Sequence, residues 1–107
     1  MSKVVKVFIS QPMRDKTEEE IKQERERAIK NIKTLIVDDA EVEIIDSILD
    51  VNSIPQDYNV SLYCLGESIK LLSQADILYM CKGWSEARGC CIERICAQEY
   101  GVKIFAE

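Results

Sequence analysis

The sequence predicts an α/β fold, a small doubly wound parallel sheet of about four strands with helices on both faces. Three observations lead there. β-Branched runs of strand length alternate with helical patterns along the whole chain. The first of these runs is apolar almost throughout, as a strand covered on both faces must be. The third is size: 107 residues, 47% apolar with only 4 Gly and 2 Pro, suit one core, so positions 1–107 form a single domain.

The first strand is Lys3 to Ser10, closed by the Gln11-Pro12 breaker. Thr17-Glu18-Glu19-Glu20 has the form of a capping box. Behind it Ile21, Ala28, Ile29, Ile32, Leu35 and Ile36 recur at helical spacing, with acids in the first turn and Lys30 and Lys33 near the end, matching the helix dipole. Glu41 to Asp46 reads as the second strand and Ser47 to Asn59, with Pro55, as an irregular connection. Val60 to Ser73 is the second helix and Asp76 to Cys81 the third strand. A loop at Lys82 to Ser85 leads to a third helix, Glu86 to Tyr100, ended by Gly101, and Val102 to Phe105 forms the last strand. Parallel strands need crossover connections of one hand, which gives the Rossmann or flavodoxin type of assembly. No internal repeat or low-complexity segment is present.

Charge and cysteine usage narrow the function. Fourteen Lys and Arg against nineteen Asp and Glu leave a net charge of -5, so the surface repels nucleic acid polymers and anionic membranes, and any phosphate must be held locally. No apolar run reaches the roughly 20 residues of a membrane span, and the first residues lack a signal-peptide pattern, so a cytoplasmic protein is expected. Five cysteines without a C-x-x-C pair suit free thiols that serve as small buried hydrophobes; the adjacent Cys90-Cys91 would form only a rare, strained disulfide. With no histidine, acid, base or nucleophile work falls to Asp, Glu, Tyr, Lys or thiol. Neither a metal nor an organic cofactor is implied.

Open α/β sheets bind ligands beyond the carboxyl ends of the strands where the strand order reverses. Two loops fall there. Ser10 to Lys16 sets Arg14 and Lys16 just before a helix N-terminus, which favours an anion; the alternative is a solvated turn. It contains neither G-x-G-x-x-G nor G-x-x-x-x-G-K. The other loop, Lys82 to Gly89, opens onto a helix on which Gly89, Cys90, Glu93, Cys96 and Ala97 share a face. Glu93 framed by such small side chains has space for a ligand beside it and is expected to face an enclosed hollow, its pKa raised by partial burial. The alternative is a solvated glutamate paired with Arg94 or a lysine. Gly89 inside a helix suggests that something approaches the backbone closely. Trp84 either stacks on a planar base or caps the core. Asp76 is expected to accept backbone hydrogen bonds rather than act in catalysis.

Together, Ile9-Ser10-Gln11-Pro12-Met13, Ala75-Asp76 and Gly83-Trp84-x-x-Ala87-Arg88-Gly89-x-x-x-Glu93-x-x-x-Ala97-x-x-x-Gly101 resemble the nucleoside 2-deoxyribosyltransferase superfamily, and most of all its small DUF4406-type branch. The resemblance follows the element order of nearly the whole chain but is carried by about a dozen residues. It implies that Glu93 attacks C1′ of a deoxyribosyl group, as in retaining glycoside hydrolysis. It places Ser10, Gln11, Pro12, Met13 and Arg14 near base and sugar, Gly83 and Trp84 in the facing loop, and Gly89 at the 5′ hydroxyl or phosphate, with Arg14 and Arg88 as phosphate contacts. It also implies a homodimer or larger homo-oligomer in which a neighbour completes each pocket.

The chain departs from the family pattern at three positions. Ala87 stands where a Ser or Asp holds the 5′ end, and Phe8 where a Tyr orients the nucleophile. Ser68 stands where an Asp protonates the base, leaving the adjacent Glu67 as candidate acid, about 100° away on the helix. The expected function is a nucleoside or nucleotide N-glycosyl transferase or hydrolase. The alternatives are a catalytically inactive nucleotide-binding or signalling module of the same fold, and a small interaction protein that binds through its acidic first helix.

Overall fold

The computed structural model describes residues 3–36, 40–46 and 51–107. Among them strands and helices alternate as β1 (Lys3–Ser10), α1 (Glu18–Leu35), β2 (Ala40–Ile44), α2 (Val60–Leu72), β3 (Ile77–Met80), α3 (Arg88–Glu99) and β4 (Lys103–Ala106), with 3-10 turns at Val51–Ser53 and Trp84–Glu86. The four strands are parallel in the order β2-β1-β3-β4. The order reverses between β1 and β3, so the switch point lies between the two loops singled out from the sequence. No helix among the described residues is long and apolar enough to cross a membrane.

Alternation along β1 assigns the two faces of the sheet. Val7 and Ile9 pack with Ala28, Ile32, Tyr79 and Cys81 beneath α1. Phe8 points the other way, into a cluster with Leu72, Leu78, Met80, Cys90 and Ala97 beneath α2 and α3. Helices on opposite faces are what make the sheet doubly wound, and β1 is buried on both sides because it is an inner strand.

The local signals act as their chemistry predicts. Thr17 Oγ1 accepts the Glu20 N–H at 3.1 Å while Glu20 Oε1 accepts the Thr17 N–H at 3.0 Å, completing the capping box. Asn59 caps α2 by accepting the Leu62 N–H at 3.0 Å. Gly101 adopts φ 76 just past α3. Asp76 Oδ2 accepts the Lys6 N–H at 2.9 Å, tying the entry of β3 to β1, so this carboxylate has the structural role expected of it.

Several boundaries move. The second strand runs Ala40–Ile44 instead of Glu41 to Asp46, and the last Lys103–Ala106 instead of Val102 to Phe105. The third helix begins two residues late. Gly83 turns left-handed at φ 89 and Trp84–Glu86 closes a 3-10 turn, after which Ala87 is extended, so Glu86 belongs to the turn and not to the helix. Of the expected irregular connection, positions 47–50 lie outside the described residues. All five cysteines are free; Cys81 and Cys90 are buried and the other three are half-buried.

Candidate active site at the carboxyl edge of the sheet

At the switch point the parity of β1 decides what meets what. Ser10 lies two residues after Phe8 and therefore points to the same side, towards α3. There its hydroxyl donates to Glu93 Oε1 at 2.6 Å, a short charge-assisted bond between residues 83 apart in sequence. Both are buried, Ser10 at 2% and Glu93 at 7% exposure. Glu93 is thus neither solvated nor paired with Arg94, whose guanidinium lies 5.2 Å from the Trp84 ring centroid.

Burial pushes the Glu93 carboxyl above its ordinary value, while the Ser10 hydroxyl acts in the opposite direction by stabilising the charged form. Cys90, one turn earlier on α3, is a second titratable group at this place; desolvation raises its thiol too, the Ser10 hydroxyl opposes that rise, and the charge on Glu93 adds to it. No ion pair among the described residues involves Glu93. Its second oxygen, Oε2, takes no hydrogen bond from them, yet it is not sealed from solvent. One carboxylate oxygen is tethered and the other is available.

The two loops meet. A Cβ on Gly83 would lie 3.6 Å from Pro12 Cγ, and the Cys81 N–H donates to the Ser10 carbonyl at 2.9 Å, extending the pairing of β1 with β3 past the strand ends. Gln11 is buried at 7% exposure; its Nε2 donates to the Ile21 carbonyl at 3.0 Å while its Oε1 has no partner. Met13, Arg14 and Arg88 are exposed. A Cβ on Gly89 would meet nothing within 4 Å among the described residues beyond its chain neighbours and its own helix backbone, so the space beside it is open there. Trp84 is half-buried and packs against the core beneath α3 with Arg94 over its ring, the core-capping position of the two expected.

Other expected residues are not brought together. Glu67, the candidate acid, pairs with Lys70 at 3.2 Å along α2 and has no hydrogen bond to Glu93 or Ser10. Two hollows among the described residues lie away from Glu93. One is an apolar crevice too tight for water, lined by residues such as Val7, Ile32, Tyr79 and Phe105. The other, about 350 Å³ and open to solvent, runs along α1 past Lys16, Glu20, Gln23, Glu24 and Arg27. The Glu93 carboxylate is buried against Ser10.

A second acidic group, not foreseen from the sequence, occupies the same edge on the α1 face. The ligand atoms of Glu24, Cys81 and Glu107 lie within 4.8 Å of one another. Arg27 bridges both glutamates, at 2.6 Å to Glu24 and 2.5 Å to Glu107, and the Tyr79 hydroxyl donates to Glu107 at 2.6 Å. Burial, reinforced by Glu107, pushes the Cys81 thiol up to about 12. A metal would need that thiol deprotonated and would compete with a guanidinium already bound to both carboxylates, so the residues fit an ion network better than a cation site. Only the position of Cys81 at the end of β3 hinted at this group.

The chain matches no family model, no curated protein and no solved structure. The fold itself is of a kind compatible with binding nucleotides and other small molecules at its switch point.

Proposed function

We propose that the chain is a nucleoside or nucleotide N-glycosyl transferase or hydrolase with Glu93 as nucleophile. The observation that carries this reading is a buried carboxylate at the β1–β3 switch point, with one oxygen held by Ser10 and, among the described residues, no counter-cation and no hydrogen bond to the other. Desolvation strips an ionised carboxylate of water and leaves it reactive towards an electrophilic carbon. Oε2 forms a bond to C1′ as the C1′–N bond breaks, and the base departs with the bonding electrons and takes up a proton from solvent water. Water or a second base then displaces the ester at the same carbon. Gln11 Oε1, buried and unpartnered, is a ready acceptor for an amide or hydroxyl of the substrate. Arg14, exposed in the loop after β1, and Arg88, exposed at the first position of α3, would attract a 5′ phosphate. A second copy of the chain would complete the site.

The non-catalytic alternative draws on one observation: Glu67 is engaged with Lys70, so no acid is in hand for the departing base. One experiment separates the two. The protein is incubated with deoxynucleosides or their monophosphates and an acceptor base, and base release or exchange is followed by chromatography. Turnover is expected, and Glu93→Gln should reduce it by roughly 10³-fold or more. Saturable binding without turnover would establish the silent module, and neither would refute the reading altogether.

A further inference from the structure

We infer that Ser10 is a positioning residue for Glu93: its hydroxyl fixes Oε1, stabilises the carboxylate form and thereby turns Oε2 outward as the reacting atom. The inference deepens the proposed reading and rests on it for the word reacting, but the coupling of the two residues stands on geometry alone. The resemblance gives strand one a different means of orienting the nucleophile, a tyrosine where this chain has Phe8. Phe8 is buried at 2% exposure and offers no hydroxyl. Ser10, one alternation further along the same face, reaches the carboxylate that Phe8 cannot bond.

The geometry narrows what the bond can do. A hydroxyl has one proton, and with that proton on Glu93 at 2.6 Å it is committed, so Ser10 is a poor substrate-binding residue despite its place at the strand end. The groups facing Glu93 are few: Ser10 from β1, and Cys90 from its own helix, which carries no charge while its thiol stays protonated. No cation assists. Under desolvation the Ser10 hydrogen bond is therefore the identified interaction that favours the ionised, nucleophilic form, and one bond of this charge-assisted kind is worth substantially more than a neutral one. The single tether has a geometric effect too. A carboxylate is planar, so holding Oε1 from β1 restricts rotation of the side chain and limits the directions available to Oε2.

The test reads the residue and the reaction separately. Protein carrying ¹³C at the glutamate carboxyl carbons is titrated by NMR as wild type, Ser10→Ala and Ser10→Thr, with the Glu93 signal assigned by its loss in Glu93→Gln. The Glu93 titration should move upward in Ser10→Ala and return towards wild type in Ser10→Thr, which restores a hydroxyl. Should the added methyl of threonine prevent folding, Ser10→Cys, nearly isosteric and a weak donor, should titrate between wild type and alanine. With substrate, Ser10→Ala should lower kcat about 10- to 100-fold with little change in KM, and the acid limb of the pH profile should shift upward. An unchanged or lowered Glu93 titration in Ser10→Ala would overturn the inference whatever the activity. A shifted titration in a protein that releases no base would support the coupling and refute only the glycosyl reading.

Discussion

The carboxyl edge of the sheet carries two groups of buried or half-buried acids, one on each face, and they are handled in opposite ways. On the α1 face Glu24 and Glu107 share Arg27, and Tyr79 adds a further donor. On the α3 face Glu93 is more deeply buried and, among the described residues, has no cation and one oxygen without a hydrogen bond. Where charge only has to be tolerated, the chain neutralises it with a guanidinium. Where the carboxylate is left short of partners, stability is sacrificed, and sites of that kind are where chemistry concentrates.

The pH dependence of stability should separate the two groups by sign. Arg27 holds the Glu24 carboxyl below its ordinary value, so that pair stabilises above the unfolded carboxylate pKa and its contribution fades as pH falls through the folded value. Glu93 is raised, so the folded chain binds its proton more tightly than the unfolded one. Its contribution is favourable at low pH and is lost as pH rises from the ordinary carboxylate value through the raised one.

The largest expected change comes from the packing beneath Glu93. Phe8→Ala empties the floor on the α3 face and should cost about 3–5 kcal/mol in denaturant unfolding, while the Tyr79 and Cys81 side keeps its own packing. Arg27→Met should destabilise by roughly 1 kcal/mol at pH 7, a modest figure because the guanidinium is 43% exposed; the loss should shrink with added salt. Glu93→Gln should do the reverse, raising stability by on the order of 1 kcal/mol at pH 7, with the gain vanishing below the ordinary carboxylate range. A loss of stability in Glu93→Gln would mean that the carboxylate is structural after all. Tyr79→Phe removes one donor from Glu107 and should cost about 1 kcal/mol.

Local chemistry explains which parts were legible in the sequence. Thr17 to Glu20 and Gly101 announce helix ends because caps are read from a few neighbouring residues. The small-residue face around Glu93 was legible too, but it left a solvated glutamate open, and the structure buries the side chain. The bond from Ser10 spans 83 positions and that from Arg27 to Glu107 spans 80; both arise from the stacking of helices on the sheet, which has no local signature. The late start of α3 escaped notice because Glu86 resembles a first-turn acid, while the left-handed Gly83 determines the turn instead. The single sequence could place Glu93 on a small-residue face, but not say that its neighbour would be a serine from β1.

The central claim is that Glu93 Oε2 is the atom that attacks. Acid-quenching the protein during incubation with a deoxynucleoside monophosphate, then mapping peptides by mass spectrometry, tests it most directly. The account predicts one deoxyribosyl phosphate unit, ester-linked to Glu93 and absent from Glu93→Gln. Base release with the adduct on another residue, or a Glu93→Gln protein that turns over as fast as wild type, would contradict it.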